Sequence, residues 1–206
     1  APMQMLQRQK QERGYYKMDL RYPYTAHEAI DQMIERSIEG MEKDFRDTAR
    51  EIQFESDMPP GQYGLDIVYT EYAFSEDIVS FKYDILRDLG CANPQNLIET
   101  HTYLLSQSRE LELDDIFKGK YLQTIAPIAR QKLLDSEKLG EEPDLDMLDS
   151  GVAPAAENYR HFVLTSESII FFFQQYQLAP RIYGQQQVEI PYIEIQYNEI
   201  QDILYE

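Results

Sequence analysis

Thr25-Ala-His-Glu-Ala-Ile-Asp-Gln-Met-Ile-Glu-Arg-Ser-Ile-Glu-Gly-Met-Glu-Lys-Asp-Phe-Arg-Asp-Thr-Ala-Arg-Glu-Ile52 is the stretch around which the rest of the chain is read. Ile30, Met33, Ile34, Ile38, Met41, Phe45, Ala49 and Ile52 recur at steps of three and four, so a helix winds them into one apolar stripe. Thr25 and Glu28 have the spacing of a capping box. On the wet face Glu39 with Lys43, and Glu42 with Arg46, form i,i+4 pairs worth a few tenths of a kcal/mol each. The spacing predicts a helix over 26–53, stopped by Met58-Pro-Pro-Gly61.

The flanking sequence alternates as strands do. Tyr15 to Tyr24 is a first strand, with Pro23 near its end. Leu65 to Phe74 and Ile78 to Leu86 are two more, joined by a turn at Ser75-Glu-Asp77. Asn96 to Leu105 follows the break at Asn93-Pro94. In Leu111-Glu-Leu-Asp-Asp-Ile-Phe117, Asp114 or Asp115 caps a helical turn. A second helix is predicted within 119–139, either kinked at Pro127 or starting there. An acidic connection runs over 140–151. Tyr159 to Leu164 and Ser168 to Phe173 are strands about a tight Thr165-Ser-Glu turn, with Phe171-Phe-Phe173 covered on both faces. Val188 to Ile190 is short, and a last turn or helix lies near 192–204. The first twelve residues carry no period and read as a flexible arm. The order β-α-β-β-β-α-β-β groups its strands consecutively. That points to an α+β fold, a mainly antiparallel sheet with two principal helices packed on it. Residues 13–206 form this domain, either as one body or as two intimately packed subdomains of about 13–90 and 91–206.

Composition limits the function. The 206 residues carry 19 Lys plus Arg against 37 Asp plus Glu, a net charge of −18. Such a surface repels a phosphate backbone and an anionic bilayer, which argues against nucleic acid as a partner. A basic protein, a metal cation or a neutral glycan is compatible with it. The single cysteine, Cys91, excludes an internal disulfide, a Cys-rich zinc site and a CxxC redox pair. No apolar run approaches the ~20 residues of a membrane span. The chain begins at Ala1 rather than Met, which fits removal of an N-terminal signal or anchor, and a membrane link is expected only through such a segment.

Phe162-Val-Leu-Thr-Ser-Glu-Ser-Ile-Ile-Phe-Phe-Phe173, then Tyr176-Gln-Leu-Ala-Pro180, Gly184 and Val188-Glu-Ile-Pro-Tyr192, resemble a known bacterial family. It is the extracytoplasmic C-terminal domain of the anti-sigma factor RsiV (DUF3298), also found beside peptidoglycan deacetylase domains and in uncharacterised lipoproteins. Thr102-Tyr-Leu-Leu105 followed by Leu111 to Phe117 is similar to the family's approach to its LxDLF motif. The similarity runs over roughly Tyr63 to Ile195, and the N-terminal strand and long helix fit the DUF4163-like part that often precedes it. The chain departs from the family's PYxxAPYxxG motif. Gln175 stands where the first Pro is usual, and Arg181 replaces the second Tyr, with Tyr183 two positions on. The resemblance implies a non-catalytic domain at the cell surface that binds a protein, lysozyme being the family's example, or a wall glycan.

Signatures of chemistry are scarce. The sequence has no GxSxG elbow and no SxxK, and His27, His101 and His161 fall in separate elements without an HxH or HExxH pattern. Asp144-Leu-Asp-Met-Leu-Asp149 lacks the order of a calcium loop and reads as an acidic segment capping a turn. No catalytic residue, metal or cofactor is expected. A hydrolase whose paired acids converge across a cleft is the third reading, because spacing in sequence does not give that distance. Most of the sixteen Tyr read as strand residues. Tyr176, Tyr183 and Tyr192 instead flank a loop, where aromatics anchor a protein or the face of a sugar. Arg181 among them suits a carboxylate or a glycan oxygen, or else a surface ion pair.

Overall fold

Helix α1 spans Glu28–Glu55 and buries Ile30, Ile34, Ile38, Met41, Phe45 and Ala49, the stripe its spacing predicts. Its capping differs in detail from the sequence expectation. The Asp31 carboxylate accepts hydrogen bonds from the Thr25 amide at 2.8 Å and hydroxyl at 2.7 Å, and the Thr25 hydroxyl accepts from the His27 amide at 3.1 Å. Ala26, at φ 66°, turns the chain between Thr25 and the helix, so Asp31 and not Glu28 closes the box. The computed structural model describes residues 3–55 and 62–205, and the expected stop at Met58-Pro-Pro-Gly61 lies outside them.

The other elements follow in chain order. Strands β1 (Gln4–Glu12) and β2 (Tyr16–Tyr24) precede α1, and β3 (Tyr63–Ala73), β4 (Ile78–Asp88), β5 (Gln95–Leu104) and β6 (Arg109–Glu110) follow it. Helices α2 (Leu113–Ile116), α3 (Tyr121–Asp135) and α4 (Leu145–Val152) lead to β7 (Phe162–Leu164), β8 (Ser168–Phe173) and β9 (Gln186–Pro191). The fold is α+β. Strands β1 to β6 stand in sequence order in one sheet and β7-β8-β9 form a second, where the sequence reading has a single sheet. β2 and β3 pair in parallel, Tyr16 opposite Tyr63, because α1 returns the chain between them as a crossover.

Two compact units divide the chain, 1–70 with 83–99 and 71–82 with 100–206. β3, β4 and β5 each contribute to both, so the boundary is not the single cut near residue 90 suggested by the sequence.

In the first unit, residues 4–12 form β1, antiparallel to β2 from Gln4↔Tyr24 to Glu12↔Tyr16, and not an arm. An apolar period is missing because the inward side of β1 pairs by charge. Lys10 Nζ lies 2.8 Å from the Glu42 carboxylate, which is buried, and Arg46 makes two hydrogen bonds to Glu12 at 2.8 and 3.0 Å. These bonds, with Lys10 adding to them, hold the Glu12 carboxyl at about 2 against an ordinary 4.5. A carboxylate whose pKa is depressed on folding stabilises the fold above its unfolded value and loses that contribution as pH falls through the folded one. Stability is therefore expected to drop between about pH 4.5 and 2. In Glu12→Gln the drop should be shallower than in the parent, read as melting temperature against pH. Parallel curves would show that Glu12 is not a source of it.

In the second unit, α3 packs on β9 and a core gathers Ile116, Phe117, Ile125, Leu133, Phe171 and Phe173. α3 begins at Tyr121 and runs through Pro127, so it does not start at the proline. The acidic connection ends in α4, capped where the Asp144 carboxylate accepts from the Met147 amide at 3.1 Å. α2 has Glu112 at its N-cap, two positions before Asp114, and the expected Asp115 closes the box by accepting from the Glu112 amide at 2.8 Å. β8 is buried at every residue, as Phe171-Phe-Phe173 implied.

Candidate functional site

The loop between β8 and β9, residues 174–185, brings together three of the four aromatic or basic residues singled out in the sequence. It is held by its own side chains. Gln177 donates from Nε2 to the carbonyls of Gly151 at 3.1 Å and Asn158 at 3.0 Å. Its Oε1 accepts from the Gln174 amide at 3.1 Å. Leu178 and Ala179 are buried beneath it. Gly151 admits the loop closely, since a Cβ there would lie 2.1 Å from the Gln177 carbonyl oxygen. The second half, Arg181–Tyr183, is a 3-10 turn ended by Gly184 at φ 68°. Gln186, buried at the start of β9, donates to the Tyr183 carbonyl at 2.7 Å.

This anchoring fixes what the loop presents. Tyr176 sits at the tip in the left-handed region, φ 69°, and is 62% exposed. Arg181 is half-buried, and Ile182 beside it is 87% exposed. Tyr183 is exposed on one side and stands over Gly140, whose missing Cβ leaves room for the phenol. Tyr192 does not join them. Its hydroxyl donates to the Thr165 carbonyl at 2.7 Å and its ring packs edge-on to Phe74 at 5.9 Å. Burial pushes its phenol pKa up, and the residue ties β9 to the β7–β8 turn. Sequence reasoning missed Ile182 and the bracing glutamine Gln177. An isoleucine between two polar neighbours carries no mark of exposure until the 3-10 turn is known.

Elsewhere the histidines occupy structural settings. His27 is exposed, His101 pairs through Nδ1 with Glu110 and stacks on Tyr103, and His161 lies 3.4 Å from Gln174. Among the described residues no group of three or more His, Cys, Asp or Glu is placed to hold a metal ion. No described helix is long and apolar enough to cross a membrane. Cys91 is an exposed free thiol.

Residues 114–193, which include the loop, match the family model described as "Protein of unknown function (DUF3298)". The chain is 26% identical over 171 residues to peptidoglycan-N-acetylmuramic acid deacetylase PdaC of Bacillus subtilis, covering 82% of this chain and 36% of that protein. It is 25% identical over 183 residues to esterase Rv3036c of Mycobacterium tuberculosis, covering 85% and 75%. The chain thus spans little more than a third of PdaC. Two solved structures share the fold. A DUF3298 family protein from Pseudomonas aeruginosa gives a TM-score of 0.71 at 18% identity, covering 98% of this chain and 95% of that one. A DUF3298 family member from Bacteroides fragilis gives 0.62 at 16%, covering 100% and 96%.

Proposed function

We propose that the chain is a non-catalytic recognition domain of the cell envelope that captures a basic protein, lysozyme being the first candidate, in the manner of an RsiV-type sensor. The observation that carries this reading is the braced loop 174–185, which holds Tyr176 and Ile182 out to solvent on a chain of net charge −18. A rigid aromatic and an aliphatic anchor lose little entropy on docking, which is the character of interface hot spots. The acid excess supplies long-range attraction that raises the association rate and fades with salt. An envelope location agrees with the peptidoglycan substrate in PdaC's name.

Immobilised egg-white lysozyme is expected to capture the protein, more weakly as salt rises toward physiological strength, where the Debye length is about 8 Å. The double variant Tyr176→Ala/Ile182→Ala should bind at least tenfold more weakly, about 1.4 kcal/mol or more, with its melting temperature unchanged. No capture of the parent at tens of micromolar would remove lysozyme. Unaltered binding by the double variant would remove the loop.

Wall glycan is a second reading, favoured by exposed rings suited to stacking on sugars. Besides Tyr176, Tyr197 and Tyr205 lie against each other at 5.2 Å and are 76% and 52% exposed. Retention on purified peptidoglycan that persists at high salt would favour this over protein capture. Turnover of a nitrophenyl ester above background would instead revive the hydrolase reading that the esterase relative raises.

A further inference from the structure

The first unit contains a groove of about 570 Å³ that the loop reading does not use. Its floor comes from β1 and β2. Leu6 stands directly opposite Tyr22 in register, and Tyr24 lies two residues on, on the same side of the strand. Along β2 the inward row Tyr16, Met18, Leu20 and Tyr22 is buried, but Tyr24 is 40% exposed. The groove opens there. Its wall is one face of α1, where Glu28, Gln32, Glu35, Arg36 and Glu39 recur at helical steps. Of the eleven lining residues four are acids, Asp31 being the fourth, and Arg36 is the one base.

The charges are unequally committed. Asp31 is held by Thr25, and Glu35 lies 3.6 Å from Arg8. Glu28 and Glu39 make no ion pair among the described residues. The chain's own Arg8 displays the chemistry this wall accepts. Its guanidinium sits 5.5 Å from the centroid of the Tyr22 ring while pairing with Glu35. A cation over a ring beside a carboxylate is favourable in both contacts. Tyr24, with Glu28 and Glu39 on the opposite wall, offers the same two elements to a cation from outside. The eleven helical steps from Glu28 to Glu39 rise roughly 17 Å, the length of about five extended residues.

We propose that this groove binds a short extended protein segment bearing lysine or arginine, its aliphatic stems on Leu6 and Tyr24 and its charges toward Glu28 and Glu39. The site goes beyond the loop of the second unit and does not depend on it.

The probe is a capped pentapeptide alternating lysine and valine, titrated into the full chain and followed by calorimetry and amide NMR. Saturable binding is expected, with shifts concentrated around Leu6 and in residues 22–39 and none from the glutamate counterpart of the peptide. Glu28→Gln/Glu39→Gln should weaken binding at least tenfold, as should Tyr24→Ala, and Tyr176→Ala/Ile182→Ala should leave it unchanged. Equal affinity in the groove variants and the parent, shifts elsewhere, or no binding would overturn the proposal. Peptide binding without lysozyme capture would leave the groove standing and remove lysozyme as the loop's partner, and lysozyme capture without peptide binding would do the opposite.

Discussion

Gly151→Ala is expected to cost about 3 kcal/mol, because an added methyl there meets backbone and not a yielding side chain. Its Cβ would lie 2.1 Å from the Gln177 carbonyl oxygen, 2.9 Å from the Gln177 carbonyl carbon and 2.8 Å from Leu178 Cδ2. α4 and the β8–β9 loop must separate, which breaks the Gln177 bonds to Gly151 and Asn158. The variant should therefore lose binding as well as stability, since Tyr176 loses its brace. Gly40 is the internal control. It lies in α1 with nothing within 4 Å of an added Cβ, so Gly40→Ala is expected to stabilise by about 0.5–1 kcal/mol through the helix alone. Thermal melting of the pair checks both. A Gly151→Ala protein as stable as its parent would show that the loop accommodates without its anchor.

Phe171→Ala is expected to lose about 3–5 kcal/mol. The ring is fully buried in the middle of β8, flanked across the sheet by Phe162 and Val188 and met edge-on by Tyr159 at 5.2 Å. Neighbours on three sides are fixed by strand pairing or by a hydrogen bond, as with the Tyr159 hydroxyl on the Val152 carbonyl at 2.5 Å, so the vacated volume closes poorly. The urea midpoint should fall with an unchanged slope, marking lost stability in an intact fold. A loss under 1 kcal/mol would mean that the second unit repacks freely around the site.

What could be read in advance follows from where burial is achieved by apolar side chains. α1, β7 and β8 are written in the spacing of Ile, Met and Phe, and they appear within a few residues of their expected bounds. β1 is different. Arg8, Lys10 and Glu12 face the helix and meet Glu35, Glu42 and Arg46, a solution by charge that hydropathy cannot register. The second sheet was hidden for another reason: β8 is buried throughout, so its alternation gives no hint of which neighbours it takes. Among the candidate residues, Tyr176, Arg181 and Tyr183 share one loop, while Tyr192 turns inward to a carbonyl that no local pattern marks. The groove tyrosine Tyr24 looked like any strand aromatic until its place beyond the covered part of β2 was known.

The threading of β3, β4 and β5 through both units has a bearing on inheritance. A single cut anywhere between residues 71 and 99 leaves at least one unit without residues it needs, so the chain does not divide there into two complete units. The alignments to PdaC and to the mycobacterial esterase, at 171 and 183 residues, are too long to fall within either unit alone, whereas the residues that match the family model, 114–193, lie within the second.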